Sequence, residues 1–182
     1  MNANEAHTNS FQVMSIHVGR PKVVAFENQE IWTAIYKHPI EGPAFLSKTQ
    51  LDGDAQADLK NHGGANKALC VYANDHYDEW GKMMGRTLGP GAFGENITVS
   101  GLTEDKVHIG DVFQFGEAVV QVSQPRQPCF KLANKMGMPE IIKHIQERGW
   151  SGYYLRVLKE GWISKNDRMT RTQTDPAGIT VS

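Results

Sequence analysis

Between Ala118 and Leu132 the chain makes a transition that few folds can accommodate. Ala118, Val120 and Val122 alternate with other residues, and the run then enters Ser123-Gln124-Pro125-Arg126-Gln127-Pro128-Cys129-Phe130-Lys131-Leu132. An apolar residue at every second position is the pattern of a strand with one buried face. Proline fixes φ and holds the preceding residue extended, so Gln124 and Gln127 are pushed away from helix. The chain must therefore place a stiff loop, carrying Cys129 between Arg126 and Lys131, at the exit of a strand. If Pro128 opens a short helix from Phe130 to Met136, the thiol also sits at a helix start, and cationic neighbours and helix dipole both favour thiolate.

The same alternation recurs along the chain. Met14, Ile16 and Val18 read as a first strand ending at Gly19-Arg20-Pro21, and Ile31–Tyr36 reads as a second. Ala68–Tyr72, Asn96–Val99 and Tyr153–Leu158 follow, with Val107–Val122 read as two strands around Gly110-Asp111 and Gly116-Glu117. Lys159-Glu160-Gly161 turns the late strand into Trp162-Ile163. Eighteen glycines fit tight turns between short strands. Two stretches break the pattern. Asn74 caps a helix with Tyr77, Trp80, Met83 and Met84 on one face. Met138-Pro139 opens another, with Ile141, Ile142 and Ile145 inward and Gly149 just past its end. The expected fold is mostly β, a β-barrel with a few short helices.

A chain of 182 residues suits one domain with a core that needs no metal or disulfide staple. With 40% hydrophobic and 21% charged residues and a net charge of -1, composition argues against disorder and against electrostatic binding to nucleic acid. Partners are expected to be small molecules or proteins. The polar start lacks the apolar stretch of a signal peptide, and no run is long enough to span a membrane, so a cytoplasmic location is expected. Residues 1–10 and the polar tail 170–182 are expected to be poorly ordered or tied down only locally, with the domain between residues 11 and 169.

The motifs that carry chemistry are few. Neither Cys-x-x-Cys nor His-Glu-x-x-His occurs, and the seven histidines are scattered, which gives a zinc site little support. Gly89-Pro90-Gly91-Ala92-Phe93-Gly94 formally fits a dinucleotide fingerprint, but a helix precedes it and a strand follows, the reverse of what that motif needs. From His38 to Asn66 the pattern dissolves into Pro, Gly and Asp, which signals a functional segment or a missed strand. It ends in Asn61-His62-Gly63-Gly64-Ala65-Asn66-Lys67, read either as a turn or as a cradle in which backbone N–H groups, His62 and Lys67 meet an anion or heterocycle. Gly94-Glu95-Asn96 is likewise open between turn and binding roles. Cys129 has three readings: a packed structural cysteine, a catalytic thiol with His62 as base, or a thiolate completing a metal site whose other ligands a cofactor brings. Cys70, between Leu69 and Val71, is read as core packing.

Taken in order, Asn61-His62-Gly63-Gly64, Gly94-Glu95-Asn96-Ile97-Thr98, Ile109-Gly110-Asp111 and Pro125-Arg126-Gln127-Pro128-Cys129 resemble the MOSC family, named after the C-terminal domain of molybdenum cofactor sulfurases. The resemblance covers residues 30 to 165 and is strongest to bacterial proteins of the 6-N-hydroxylaminopurine resistance type. It implies a pyruvate-kinase-barrel-like β-barrel that binds the molybdenum cofactor in its molybdopterin form, with Cys129 as metal ligand and catalytic thiolate. Arg126, His62, Gly63, Gly64, Lys67 and Asn96 are then the expected cofactor cradle, with Arg156 and Lys131 as further candidates. Some relatives carry an extra C-terminal helical domain, which this chain is expected to lack. The implied activity is reduction of hydroxylaminopurines or hydroxylamines, with electrons from a separate redox partner and a proton from Glu95, Asp111 or His62. Two other functions stay open: a carrier of cofactor or sulfur without turnover, and a cofactor-free cysteine hydrolase or transferase.

Overall fold

The computed structural model describes residues 9–27 and 29–182, without the side chains of residues 61 and 62. Twelve strands are present among them. The first six are β1 (Ser10–Val18), β2 (Lys22–Phe26), β3 (Gln29–Thr33), β4 (His38–Pro39), β5 (Ala44–Leu46) and β6 (Leu69–Ala73). The others are β7 (Ile97–Val99), β8 (Val112–Phe115), β9 (Ala118–Pro125), β10 (Tyr153–Lys159), β11 (Gly161–Ile163) and β12 (Arg168–Gln173). The helices are α1 (Tyr77–Met84), α2 (Phe130–Met136) and α3 (Ile141–Arg148), besides the single helical turn Leu59–His62.

Seven strands close into a barrel in the order β12-β8-β9-β10-β6-β7-β1, and β1 pairs back with β12. Closure removes the sheet edges that would otherwise expose unpaired backbone. Every neighbouring pair is antiparallel except β6 and β7, which run parallel. A parallel pair needs a crossover, and α1 lies within it. Apolar side chains of all seven strands fill the interior, among them Ile16, Val71, Val99, Phe113, Val120, Leu155 and Met169. A second, aromatic cluster lies against the outside of β6. There Tyr72 stacks on Phe93 with centroids 4.1 Å apart, and Trp80 of α1, Leu132 and Met136 of α2, and Ile141 and Ile145 of α3 complete it.

Several local expectations need correction. Met14 is exposed while Val13 and Ile16 are buried, because a bulge between Val13 and Ser15 shifts the phase of β1 against β7. The strand at Ile31 ends at Thr33, where the Thr33 hydroxyl accepts from the Ile35 N–H at 3.2 Å and the chain leaves the sheet. The segment from His38 to Asn66 does hide strands, β4 and β5, each too short to show periodicity. The largest correction concerns the tail. Ser10, Phe11 and Gln12 pair with Thr170, Met169 and Arg168, so β12 closes the barrel and a domain limit at residue 169 falls inside a strand. Further on, Val181 is buried and its N–H donates to the Val107 carbonyl at 3.0 Å. Of the polar N-terminus, residues 1–8 lie outside the described residues.

Candidate functional site

On one side the barrel wall is also the wall of a cleft. Along β6, Leu69 and Val71 face the barrel interior, which leaves Cys70 on the outer face. Its cross-strand neighbour on β10 is Tyr154, again on the outer face between the interior Tyr153 and Leu155. β9 lies on the other side of β10 and carries the chain out through Pro125. Beyond it the Arg126 N–H donates to the Gly152 carbonyl at 3.0 Å, which pins the start of the proline loop to the strand beside it. Cys129 is extended, with φ -129° and ψ 171°, and its carbonyl accepts from the Leu132 N–H at 2.9 Å in the first turn of α2.

Cys70, Tyr154, Arg126, Cys129, Lys67 and Asn96 all line the cleft, which has about 680 Å³ of empty space including its open mouth. Arg126 is only 8% exposed, and its Nη1 is buried without a hydrogen-bond partner among the described residues. Burial opposes the charge on Arg126, but the Cys70 thiol, the Tyr154 phenol, Glu95 and Cys129 around it hold its pKa above the usual guanidinium value. Burial pushes the Cys70 thiol up, against the pull of Arg126, and it pushes the Tyr154 phenol up as well. The Lys67 ammonium sits 5.7 Å from the Tyr154 ring centroid.

The opposite wall comes from residues 33–37 and 54–58. Here Lys37 pairs with Asp54, their side chains 8% and 2% exposed. The same carboxylate accepts from the Gly19 N–H and from Asn96 Nδ2, each at 2.8 Å. Asn96 also donates to the His17 carbonyl at 3.2 Å and accepts from the Cys70 N–H at 3.0 Å. Its amide therefore braces β1, β6 and the Asp54 loop against one another. Gly94, beside it, has φ +75°, and a Cβ there would stand 2.5 Å from Ile35 Cγ1, so only glycine lets the Ile35 segment close on the barrel.

Of the residues picked out by sequence, Cys129, Arg126, Lys67 and Asn96 come together in the cleft. Gly63 and Gly64 form the turn before Lys67 and are not among the lining residues; the Gly64 carbonyl accepts from the Lys67 N–H at 2.9 Å. The His62 side chain lies outside the described residues. Lys131 lines the cleft and donates to the Trp32 carbonyl at 3.0 Å, whereas Arg156 does not line it. Glu95 is fully buried behind the wall, with Oε1 accepting from the Tyr77 hydroxyl, from the Gly91 N–H at 2.7 Å and from Thr98 Oγ1 at 2.7 Å. Asp111 is also fully buried, accepting from the His108 and Asp175 N–H groups, and lines no part of the cleft. Sequence reasoning missed Lys37, Asp54, Tyr154 and the cleft-facing role of Cys70. The irregular segment from His38 to Asn66 was a signal for Asp54; nothing in the spacing marked the others.

Among the described residues no three His, Cys, Asp or Glu side chains gather into a metal cage. The cleft instead offers one thiol at the start of a helix and a cationic wall. Residues 58–170 match the family model described as the MOSC domain. The chain belongs to the MOSC domain family. It is 46% identical over 171 residues to the uncharacterised protein YflK of Bacillus subtilis strain 168, covering 94% of this chain and 77% of YflK. It is 36% identical over 167 residues to a protein named reductase from Gibberella moniliformis, covering 87% of this chain but 28% of that protein. Among solved structures, YiiM from Geobacillus stearothermophilus superposes with a TM-score of 0.78 at 39% identity, covering 94% of this chain and 80% of YiiM. The MOSC domain family is associated with molybdenum cofactor binding. Among the described residues no helix is long and apolar enough to cross a membrane.

Proposed function

We propose that this chain binds the molybdenum cofactor in the cleft and reduces N-hydroxylated compounds such as hydroxylaminopurines and hydroxylamines. One observation carries the reading: a nearly buried arginine, with Nη1 unpartnered, lines the same cleft as the Cys129 thiol. A buried cation with an unspent N–H is costly unless a ligand completes it. A phosphorylated pterin that brings its own dithiolene sulfurs is such a ligand, with its anionic end on Arg126 and one open metal position for the thiolate. When bound, the cofactor supplies the two-electron redox centre. Arg126, Lys67 and the flat face of Tyr154 hold and orient it, and Cys129 supplies the protein ligand. The reaction takes R–NH–OH with two electrons and two protons to R–NH2 and water, the electrons coming from a separate redox partner. Similarity to a protein named reductase agrees with this direction of chemistry.

Elemental analysis tests the reading directly. Protein from a host that makes the cofactor is expected to carry close to one molybdenum per chain, protein from a cofactor-deficient host none, and Cys129→Ala a small fraction. Chemically reduced wild type is then expected to convert 6-N-hydroxylaminopurine to adenine. Metal-loaded protein that never turns over an N-hydroxylated compound would leave a carrier role in place of the enzyme, and metal fully retained by Cys129→Ala would remove the proposed ligand.

A further inference from the structure

The geometry points to Lys37 as the proton donor to the departing hydroxyl, with Asp54 as its positioning residue. This rests on the functional reading above and supplies what that reading lacks, an acid inside the cleft. Glu95 and Asp111 are both fully buried and line no part of the cleft, Glu95 held through Oε1 by two hydroxyls and a backbone N–H and Asp111 by backbone N–H groups. Lys37 lines the cleft itself.

Asp54 is held by three donors: it takes the Lys37 ammonium and the Gly19 N–H on Oδ1 and Asn96 Nδ2 on Oδ2. Those partners lie on separate parts of the chain, so the carboxylate cannot swing. An ammonium has three N–H bonds, and the bond to Asp54 is the one side-chain hydrogen bond that Lys37 makes among the described residues. The remaining N–H bonds belong to a side chain that is 8% exposed and lines the cleft. Burying an ion pair adds little stability over an apolar pair of the same volume, which leaves its position in the cleft as the feature to explain. Besides Asp54, the groups that interact electrostatically with Lys37 include His17, Lys135 and the Cys70 thiol, and Asp58, Lys67, Arg126, Cys129, Lys131 and Tyr154 line the same cleft.

In the reaction the Lys37 ammonium hydrogen-bonds the hydroxyl oxygen of R–NH–OH. As the N–O bond breaks with two electrons from the reducing partner, one proton passes from Lys37 Nζ to that oxygen, which leaves as water. The nitrogen takes its second proton from solvent, and the neutral Lys37 amine is reprotonated through the cleft mouth.

The test compares wild type, Lys37→Arg and Lys37→Ala in molybdenum-loaded protein. Lys37→Arg keeps a cation against Asp54 but does not release a proton near neutral pH. Both variants are expected to keep molybdenum within twofold of wild type, to lose about 100-fold in kcat and to change KM by less than about threefold. Added ethylamine is expected to restore Lys37→Ala at least about tenfold and to leave Lys37→Arg unchanged, a response that a purely structural lysine would not give. Independently of turnover, the side-chain ammonium resonance of Lys37 in 15N-lysine-labelled oxidised protein is expected to shift when 6-N-hydroxylaminopurine is added. Wild-type kcat in Lys37→Arg, no amine rescue, an unmoved Lys37 resonance, or loss of molybdenum from Lys37→Arg would each overturn the assignment while leaving the functional reading intact. A wild type that reduces no N-hydroxylated compound overturns both.

Discussion

Leu69, Val71, Tyr153 and Leu155 point into the barrel, whereas Cys70 and Tyr154, each flanked by two of them, face the cleft. The two sets share the same strands and the same backbone pairing. On the inner face apolar groups meet apolar groups, and the Tyr153 hydroxyl donates to the Leu102 carbonyl at 3.2 Å. On the outer face a thiol, a phenol and a guanidinium are packed nearly as tightly, yet Arg126 keeps an unpartnered nitrogen. The difference teaches that burial alone does not separate core from site. What separates them is whether polar demand is met from within the chain.

Mutations on the two faces should therefore diverge. Leu155→Ala, on the inner face, is expected to cost about 3–4 kcal/mol in urea unfolding because the closed barrel cannot collapse around the lost side chain. A cost below about 1 kcal/mol would show that the wall is softer than the contacts imply. Asn96→Ala, at the junction of the faces, removes an acceptor for the Cys70 N–H and two donated bonds, and should cost about 3 kcal/mol. Its molybdenum content should fall together with its stability, which would mark Asn96 as a brace.

Lys135 makes stability depend on pH. It lies on α2, after Cys129, donates to the Gly91 carbonyl at 2.6 Å, and burial, partly opposed by Glu95, pushes its pKa down to about 8. Between about 8 and its unfolded value of 10.5 the unfolded chain holds more protons on this group than the folded one. Unfolding free energy should therefore rise with pH through that window on Lys135's account, by at most about 3 kcal/mol. Urea melts from pH 7 to 10.5 should show this rise in wild type and lack it in Lys135→Met; equal slopes would remove the burial argument.

The outer face should respond in function before stability. Arg126→Met is expected to leave stability unchanged or raise it by about 1 kcal/mol, since it removes a buried, incompletely paired charge, while lowering molybdenum content at least about tenfold. Loss of stability without loss of metal would return Arg126 to a structural role. Cys70→Ala should cost only about 1 kcal/mol, because a small group is lost from a face that opens on the cleft.

How far the sequence could be read follows from the range of the interactions. β9 and its exit were legible because alternation and proline act on neighbouring residues; Ala118, Val120 and Val122 are indeed buried and α2 does start after Cys129. β12 was not, since its run reads as polar until Met169 is set beside Phe11 on the neighbouring strand β1. Cys70 was read as packing because an apolar neighbour on each side looks the same whether the far face meets a core or a cleft.

The sequence was enough for the barrel strands other than β12, the two amphipathic helices and the proline-stiffened loop that presents Cys129, because periodicity, capping and proline geometry are local. Tertiary structure alone decided which outer-face residues meet. Lys37 finds Asp54 17 positions away, Asp54 finds Asn96 42 positions away, and Ser10 finds Thr170 across 160. No spacing rule links such residues. They meet because closing the barrel brings β1, β6 and β7 side by side and folds the 33–37 and 54–58 segments against their outer face.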